Sequence, residues 1–195
     1  MLVGVDEVGR GPLAGPVTVC AVVCKKSLPR GFLKGIRNSK ALSEQARLAW
    51  YKKVLAARKA GTLDFVTASS SALYIDTHGI SAALRRAIRR ALVRIKLEPS
   101  RSKVLLDGSI KAPKAFKNQR TIIKGDEKIP IIALASVIAK VRRDRLMCVY
   151  AKQCKGYGFE KHVGYGTASH YRAIKRLGLC PLHRRSFLTN LRESH

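Results

Sequence analysis

Gly4-Val5-Asp6-Glu7-Val8-Gly9-Arg10-Gly11-Pro12-Leu13-Ala14-Gly15-Pro16-Val17 links two short β-branched runs, Leu2 to Val5 and Val17 to Val23, through a connection dense in glycine and proline. Valine suits the pleated, half-buried surface of a strand, and clustered glycine and proline punctuate one, so the pattern predicts two strands folded as a hairpin. An Asp-Glu pair stands where the first strand gives out. Successive strand residues face opposite sides, so Asp6 and Glu7 can act together only if the strand ends or bulges there, which Gly9 and Gly11 permit.

Downstream, helix formers fill Glu44 to Lys59 behind Ser43, a good N-cap residue that lacks the acidic partner of a full capping box. Phe65 to Ala72 reads as a third strand. Ile80 to Ile95 repeats apolar residues at helical spacing, with Arg85, Arg86, Arg89 and Arg90 on the other side. Lys103 to Leu106 and Arg120 to Ile123 are brief strands running into Asp107-Gly108 and Lys124-Gly125-Asp126. Ile131 to Cys154 has the length and composition of a long helix, and Ala168 to Leu177 those of a shorter one. The expectation is an α/β fold: a mixed β-sheet flanked by helices, residues 1–195 forming one domain, with a small C-terminal helical segment from about residue 155 to 195.

Charge narrows the partner. With 39 Lys and Arg against 12 Asp and Glu, the net charge of +27 far exceeds what solubility needs and points to a polyanion, nucleic acid foremost. A generally basic, solvated surface explains part of the same excess. No stretch approaches the roughly 18 uninterrupted apolar residues of a membrane span. Met1 to Val5 has no basic region before it and is stopped at once by acids, so it does not read as a secretory signal, and the cytoplasm is the expected location. The five cysteines, Cys20, Cys24, Cys148, Cys154 and Cys180, show no C-x-x-C pair and an odd count, which predicts free thiols.

In so basic a chain the placement of the scarce acids is informative. Asp6, Asp107 and Asp126 each follow an expected strand, and neighbouring strand ends lie within about 5 Å laterally, so the carboxylates can converge. Converging anions repel and raise each other's pKa unless a cation compensates; the fitting ions are Mg2+ or Mn2+, which prefer oxygen ligands. Any one of these aspartates alone reads more simply as a turn initiator. The adjacent Gly9-Arg10-Gly11 adds a loop whose backbone N–H groups can approach a phosphate or sugar, with Arg10 for charge-assisted contact.

This opening segment resembles that of the bacterial ribonuclease HII family, and further blocks agree in order: Ser39-Lys40 with Leu42-Ser43, Leu106-Asp107-Gly108, Lys124-Gly125-Asp126, Ala135 to Val141 with Arg143-Asp144, Gly164-Tyr165-Gly166-Thr167 with His170, and His183 to Phe187. The resemblance implies a ribonuclease H-like fold and an endonuclease that cuts the RNA strand of RNA/DNA hybrids. It also implies incision of duplex DNA 5′ to embedded ribonucleotides, by two-metal-ion hydrolysis leaving 5′-phosphate and 3′-hydroxyl ends. Asp6, Glu7, Asp107 and Asp126 match the metal-binding, catalytic carboxylates. Gly9, Arg10 and Gly11 match the loop that reads ribose 2′-hydroxyls, and Tyr165 the ring that stacks on the next sugar at an RNA–DNA junction. The implied protein is a monomer. Asn38, Ala41, Gly79 and Leu134 depart from the family's usual aspartate, lysine, asparagine and alanine.

Two other classes compete. A non-catalytic RNA-binding protein of ribosomal type would explain the charge but has no use for four carboxylates at strand ends. A Holliday-junction resolvase or ribonuclease HIII would share the acidic centre; the Gly-Arg-Gly loop with Tyr165 argues against the former, and the absence of an added N-terminal substrate-binding domain in this sequence against the latter. Asp144, among Arg142, Arg143 and Arg145, reads as a structural ion pair, and His162, His170 and His183 stay outside the catalytic set.

Overall fold

The computed structural model describes residues 1–188. Five strands, β1 (Leu2–Val8), β2 (Val17–Cys24), β3 (Leu63–Ser70), β4 (Lys103–Asp107) and β5 (Gln119–Ile122), form one mixed sheet in the order β3-β2-β1-β4-β5. β1, β2 and β3 are antiparallel neighbours, while β4 lies parallel to both β1 and β5. The hairpin and the mixed sheet are as the sequence predicts.

Alternation along β2 sorts its side chains between two cores. Val17, Val19, Ala21 and Val23 face helix α2 (Ala72–Arg94), and Cys20 and Val22 face α1 (Glu44–Lys59) and α4 (Pro130–Gln153). Covered on both sides, β2 is a nearly continuous apolar run. The first half of α4, Ile131 to Ala139, is buried throughout and rests on β1 at Gly4, where an added Cβ would stand 2.5 Å from the Ile131 carbonyl oxygen. Leu134, the departure from alanine, is fully buried there.

The passage from β3 to α2 differs from the sequence reading. The third strand stops at Ser70 because Ser71 caps a helix, its hydroxyl accepting from Tyr74 N at 3.2 Å. Helix α2 therefore begins eight residues before the expected start at Ile80 and kinks at Gly79, whose φ of 78° is open to glycine. Asn38 serves in place of aspartate, its side-chain oxygen accepting from Lys40 N and Ala41 N.

The C-terminal segment carries a short α5 (Phe159–His162) and α6 (Ala168–Leu177). It packs through a third core, in which Phe159, Ala173 and Ile174 meet Leu13 and Ala14 of the β1–β2 connection and Met147 of α4. Asp144 pairs with Lys140 one turn back on α4, at 3.0 Å, rather than with any of the three arginines around it. The described cysteines are free, as expected.

Candidate active site

β1 runs on through Asp6 and Glu7 to Val8 in one-for-one register with β2, Asp6 opposite Cys20 and Glu7 opposite Val19. The expected strand end or bulge at the acidic pair is therefore absent. What frees the pair is the other side of β1: pairing with β4 stops at Val5 and Leu106, leaving Asp6 and Glu7 beside the strand end at Asp107. Asp126 also departs from expectation. It sits not at a strand end but in the first turn of a short helix, α3 (Gly125–Lys128), entered through Lys124 in the left-handed conformation. Asp107 holds that helix by accepting from Gly125 N at 2.7 Å. A Cβ at Gly125 would stand 2.9 Å from Cδ1 of Ile132 on α4, so the glycine suits the close approach of α3 to α4.

The electrostatics are those of anions gathered without enough cation. Asp6 is buried, and burial together with Glu7 and Asp107 pushes its carboxyl well above the usual range, against the pull of the Ser136 hydroxyl and the Glu7 N–H, which donates at 2.7 Å. Burial likewise raises Glu7; Arg10, 3.2 Å away, opposes this, and Asp107 and Asp126 add to it. Asp126 is raised by burial, Asp107 and Glu127, with Lys40 in opposition. Arg10 is half exposed, and among the described residues no cation pairs with Asp6. Among the described residues no three His, Cys, Asp or Glu side chains stand close enough to enclose an ion as they lie. The four carboxylates thus feel one another without having closed into a shell. Their all-oxygen donor set and uncompensated charge fit a hard divalent cation.

Two features near the acids carried no role in the sequence reading. Ser136 of α4 donates to the Ser39 hydroxyl at 2.9 Å, tying the Ser39-Lys40 loop beneath Asp6 and setting Lys40 near Asp126. Arg143 and Arg184, both fully buried, reach into the Gly9–Pro16 loop from behind and bond its carbonyls. The only sign of them in the sequence was membership of matching blocks.

Tyr165, 41% exposed, lies on the turn after α5, next to the loop that follows β1: Leu13 N and Ala14 N both donate to Gly164 O. The sequence-predicted residues thus form two adjoining groups, the acids of β1, β4 and α3, and the Gly9–Gly11 loop with Tyr165. His162, His170 and His183 form a stacked, hydrogen-bonded array beneath the Tyr165 turn.

A mixed sheet of this order, with acids spread over its central strands and the helix beyond, defines a ribonuclease H-like nuclease. The chain belongs to the ribonuclease HII family, whose model matches residues 3–190, and is an endoribonuclease. It is 44% identical to ribonuclease HII of Ruminiclostridium cellulolyticum over 193 residues, 98% of this chain and 71% of that protein. It is 41% identical to ribonuclease HII of Coxiella burnetii over 187 residues, 96% of this chain and 88% of that one. Among solved structures, ribonuclease H2 from Pyrococcus horikoshii superposes with a TM-score of 0.73 at 24% identity, covering 99% of each chain. Bst-RNase HIII in complex with Mn2+ superposes with a TM-score of 0.59 at 18% identity, covering 96% of this chain and 64% of that one.

Proposed function

We propose that this endoribonuclease hydrolyses the RNA strand of RNA/DNA hybrids and incises duplex DNA on the 5′ side of embedded ribonucleotides, leaving 5′-phosphate and 3′-hydroxyl ends. The observation that carries the reading is the juxtaposition of the uncompensated acids with the Gly9–Gly11 loop and Tyr165. When bound, two divalent cations of the Mg2+ or Mn2+ type supply the Lewis acidity that activates water and stabilises the departing 3′-oxygen. Asp6, Glu7, Asp107 and Asp126 are the residues that would hold them, Asp6 from the most buried position. The Mn2+ bound by the related Bst-RNase HIII supports this ion class.

The remaining chain binds and selects. Arg10 and Gly11 lie exposed at the crest of the loop, and among the described residues their N–H groups meet no protein acceptor. They are free to bond a ribose 2′-hydroxyl, the group that separates RNA from DNA. Tyr165 offers an exposed ring to the following sugar, so the C-terminal segment contributes substrate contacts as part of one domain with the sheet. The basic surface supplies affinity for the phosphate backbone independent of sequence. Among the described residues no helix is long and apolar enough to cross a membrane. We place the protein in the cytoplasm as a monomer.

Three duplexes test the reading: one with a single embedded ribonucleotide, one with a continuous RNA strand, and one all DNA. The first two are cut in Mg2+ or Mn2+ and spared in EDTA. Cutting of the third overturns the claim of ribose specificity.

A further inference from the structure

Arg143 and Arg184 are fully buried, and among the described residues neither has a carboxylate partner. Arg143 donates to the carbonyls of Pro16 (3.0 Å), Ala14 (3.3 Å) and Val163 (2.9 Å). Arg184 donates to Gly15 (2.9 Å), Arg10 (2.8 Å) and Gly9 (2.6 Å), and its own N–H to Leu13 O at 2.8 Å. Five carbonyls of one eight-residue loop therefore point inward onto two guanidiniums, and a sixth, that of Leu13, onto the Arg184 N–H.

A peptide plane fixes its N–H opposite its carbonyl, so drawing the Gly9 and Arg10 carbonyls inward turns the N–H groups of Arg10 and Gly11 outward. The same two side chains bind the loop to its neighbour. Arg143 bridges Pro16 and Val163, two residues before Tyr165, and a Cβ on Gly9 would run into the Arg143 Nε. Arg184 is placed in turn by Asp76 of α2, whose carboxylate accepts from Arg185 N (2.9 Å), Ser186 N (3.0 Å) and Ser186 Oγ (2.6 Å).

We propose that Arg143 and Arg184 are positioning residues for ribose selection, aiming the amides of the Gly9–Gly11 loop at the 2′-hydroxyl and locking that loop and the Tyr165 turn into one rigid reading head. This rests on the role given above to the loop. Two buried positive charges hydrogen-bonded to carbonyls and without a carboxylate partner among the described residues leave positive potential behind the loop, on the side away from an anionic substrate. Burial holds both guanidiniums below their ordinary pKa, Arg184 down to about 9 with Arg143 adding to the effect. A lysine places one ammonium where arginine spreads a planar fork, so it cannot span three carbonyls.

The test is the binding preference for ribose, read in Ca2+ so that cleavage does not intervene: Kd for an all-DNA duplex divided by Kd for the same duplex with one ribonucleotide. In Arg184→Lys and Arg143→Lys proteins that retain the wild-type circular dichroism, the preference is expected to fall about tenfold, the worth of one hydrogen bond to the 2′-hydroxyl. Affinity for the all-DNA duplex stays unchanged. Asp76→Asn, a surface change that loosens the Arg184 segment, is expected to lower the preference by a smaller factor and keeps the test open should the lysine variants fail to fold. A folded variant set that keeps the wild-type preference overturns the positioning role while leaving the loop as reader. A wild-type protein with no preference overturns the loop's role, and the positioning role with it.

Discussion

Lowering the pH from 7 to 4 should destabilise the protein through His170, and the hydrogen bonds fix the reason. Gly164 N donates to His162 Nδ1 at 3.2 Å, leaving His162 Nε2 to donate to Tyr157 O at 2.8 Å. Cys180 N donates to His183 Nδ1 at 2.9 Å, so His183 Nε2 carries the proton it gives to His170 Nε2 at 3.1 Å. His170 Nδ1 then donates to Tyr165 O at 2.9 Å. Burial favours the neutral form of His170 and of His183, and a proton added to His170 Nε2 would face the His183 N–H. Burial, with His162 and His183 nearby, lowers the pKa of His170 from 6.5 to about 4, against the pull of the Tyr165 carbonyl. A group depressed on folding contributes stability that is present above its unfolded pKa and lost as pH falls through the folded value. The window is thus about pH 6.5 down to about 4, and the amount is on the order of 3 kcal/mol. Asp6, Glu7 and Asp126, raised on folding, act in the opposite sense over this range. The assay is therefore a difference: urea unfolding of the wild type and of His170→Phe at each pH, with the His170 ring followed by NMR. The wild type should lose its advantage over the variant as the pH falls. A His170 ring titrating near 6.5, or two stability curves running parallel, would refute the reasoning.

Further expectations follow from single contacts. Asp6→Asn keeps the acceptor for Glu7 N but removes a buried charge. Cleavage should fall by about a hundredfold or more in saturating Mg2+, while the metal-free protein unfolds at a higher temperature; normal cleavage would remove Asp6 from the centre. Gly4→Ala drives a Cβ against the Ile131 carbonyl and should destabilise by about 1–3 kcal/mol in urea; an unchanged midpoint would mean that α4 slides freely on β1. Asp144→Ala breaks only the partly exposed pair with Lys140 and should shift stability by less than about 1 kcal/mol, with cleavage intact. A large loss of activity would give Asp144 a role in the site.

The sequence spoke most clearly where a side chain's own periodicity decides its neighbours. Val17 to Val23 alternate between two cores, and Ile131 to Ala139 are apolar on every side, so strand and helix are readable from residue type. It spoke less clearly where a single hydrogen bond sets a boundary, as when Ser71 ends β3 and starts α2 ahead of Gly79. The acids were found as residues but misplaced as geometry. Nothing local distinguishes a strand that ends at Asp6 from one that continues to Val8 while its neighbour β4 stops at Asp107. Arg143 and Arg184 were beyond local reading altogether, because their partners in the Gly9–Pro16 loop lie 127 to 129 and 169 to 175 positions away along the chain.

That separation bears on why the site exists in this form. Among the described residues, Asp6 is buried without a cation partner and two guanidiniums without a carboxylate partner, with Gly9 against one of them. Pairing them would lower both desolvation penalties, since an unpaired buried charge is among the most destabilising features a protein can hold. It would also end both proposed roles: a guanidinium on Asp6 would occupy the place proposed for a divalent ion, and carbonyls released by Arg184 would let the loop amides turn. The rigid hydrogen-bonding of each arginine to three carbonyls keeps the charges apart. The same pairing therefore sets a limit on engineering the site, because a substitution that lets Arg143 reach Asp6 should raise metal-free stability and weaken Mg2+ binding together.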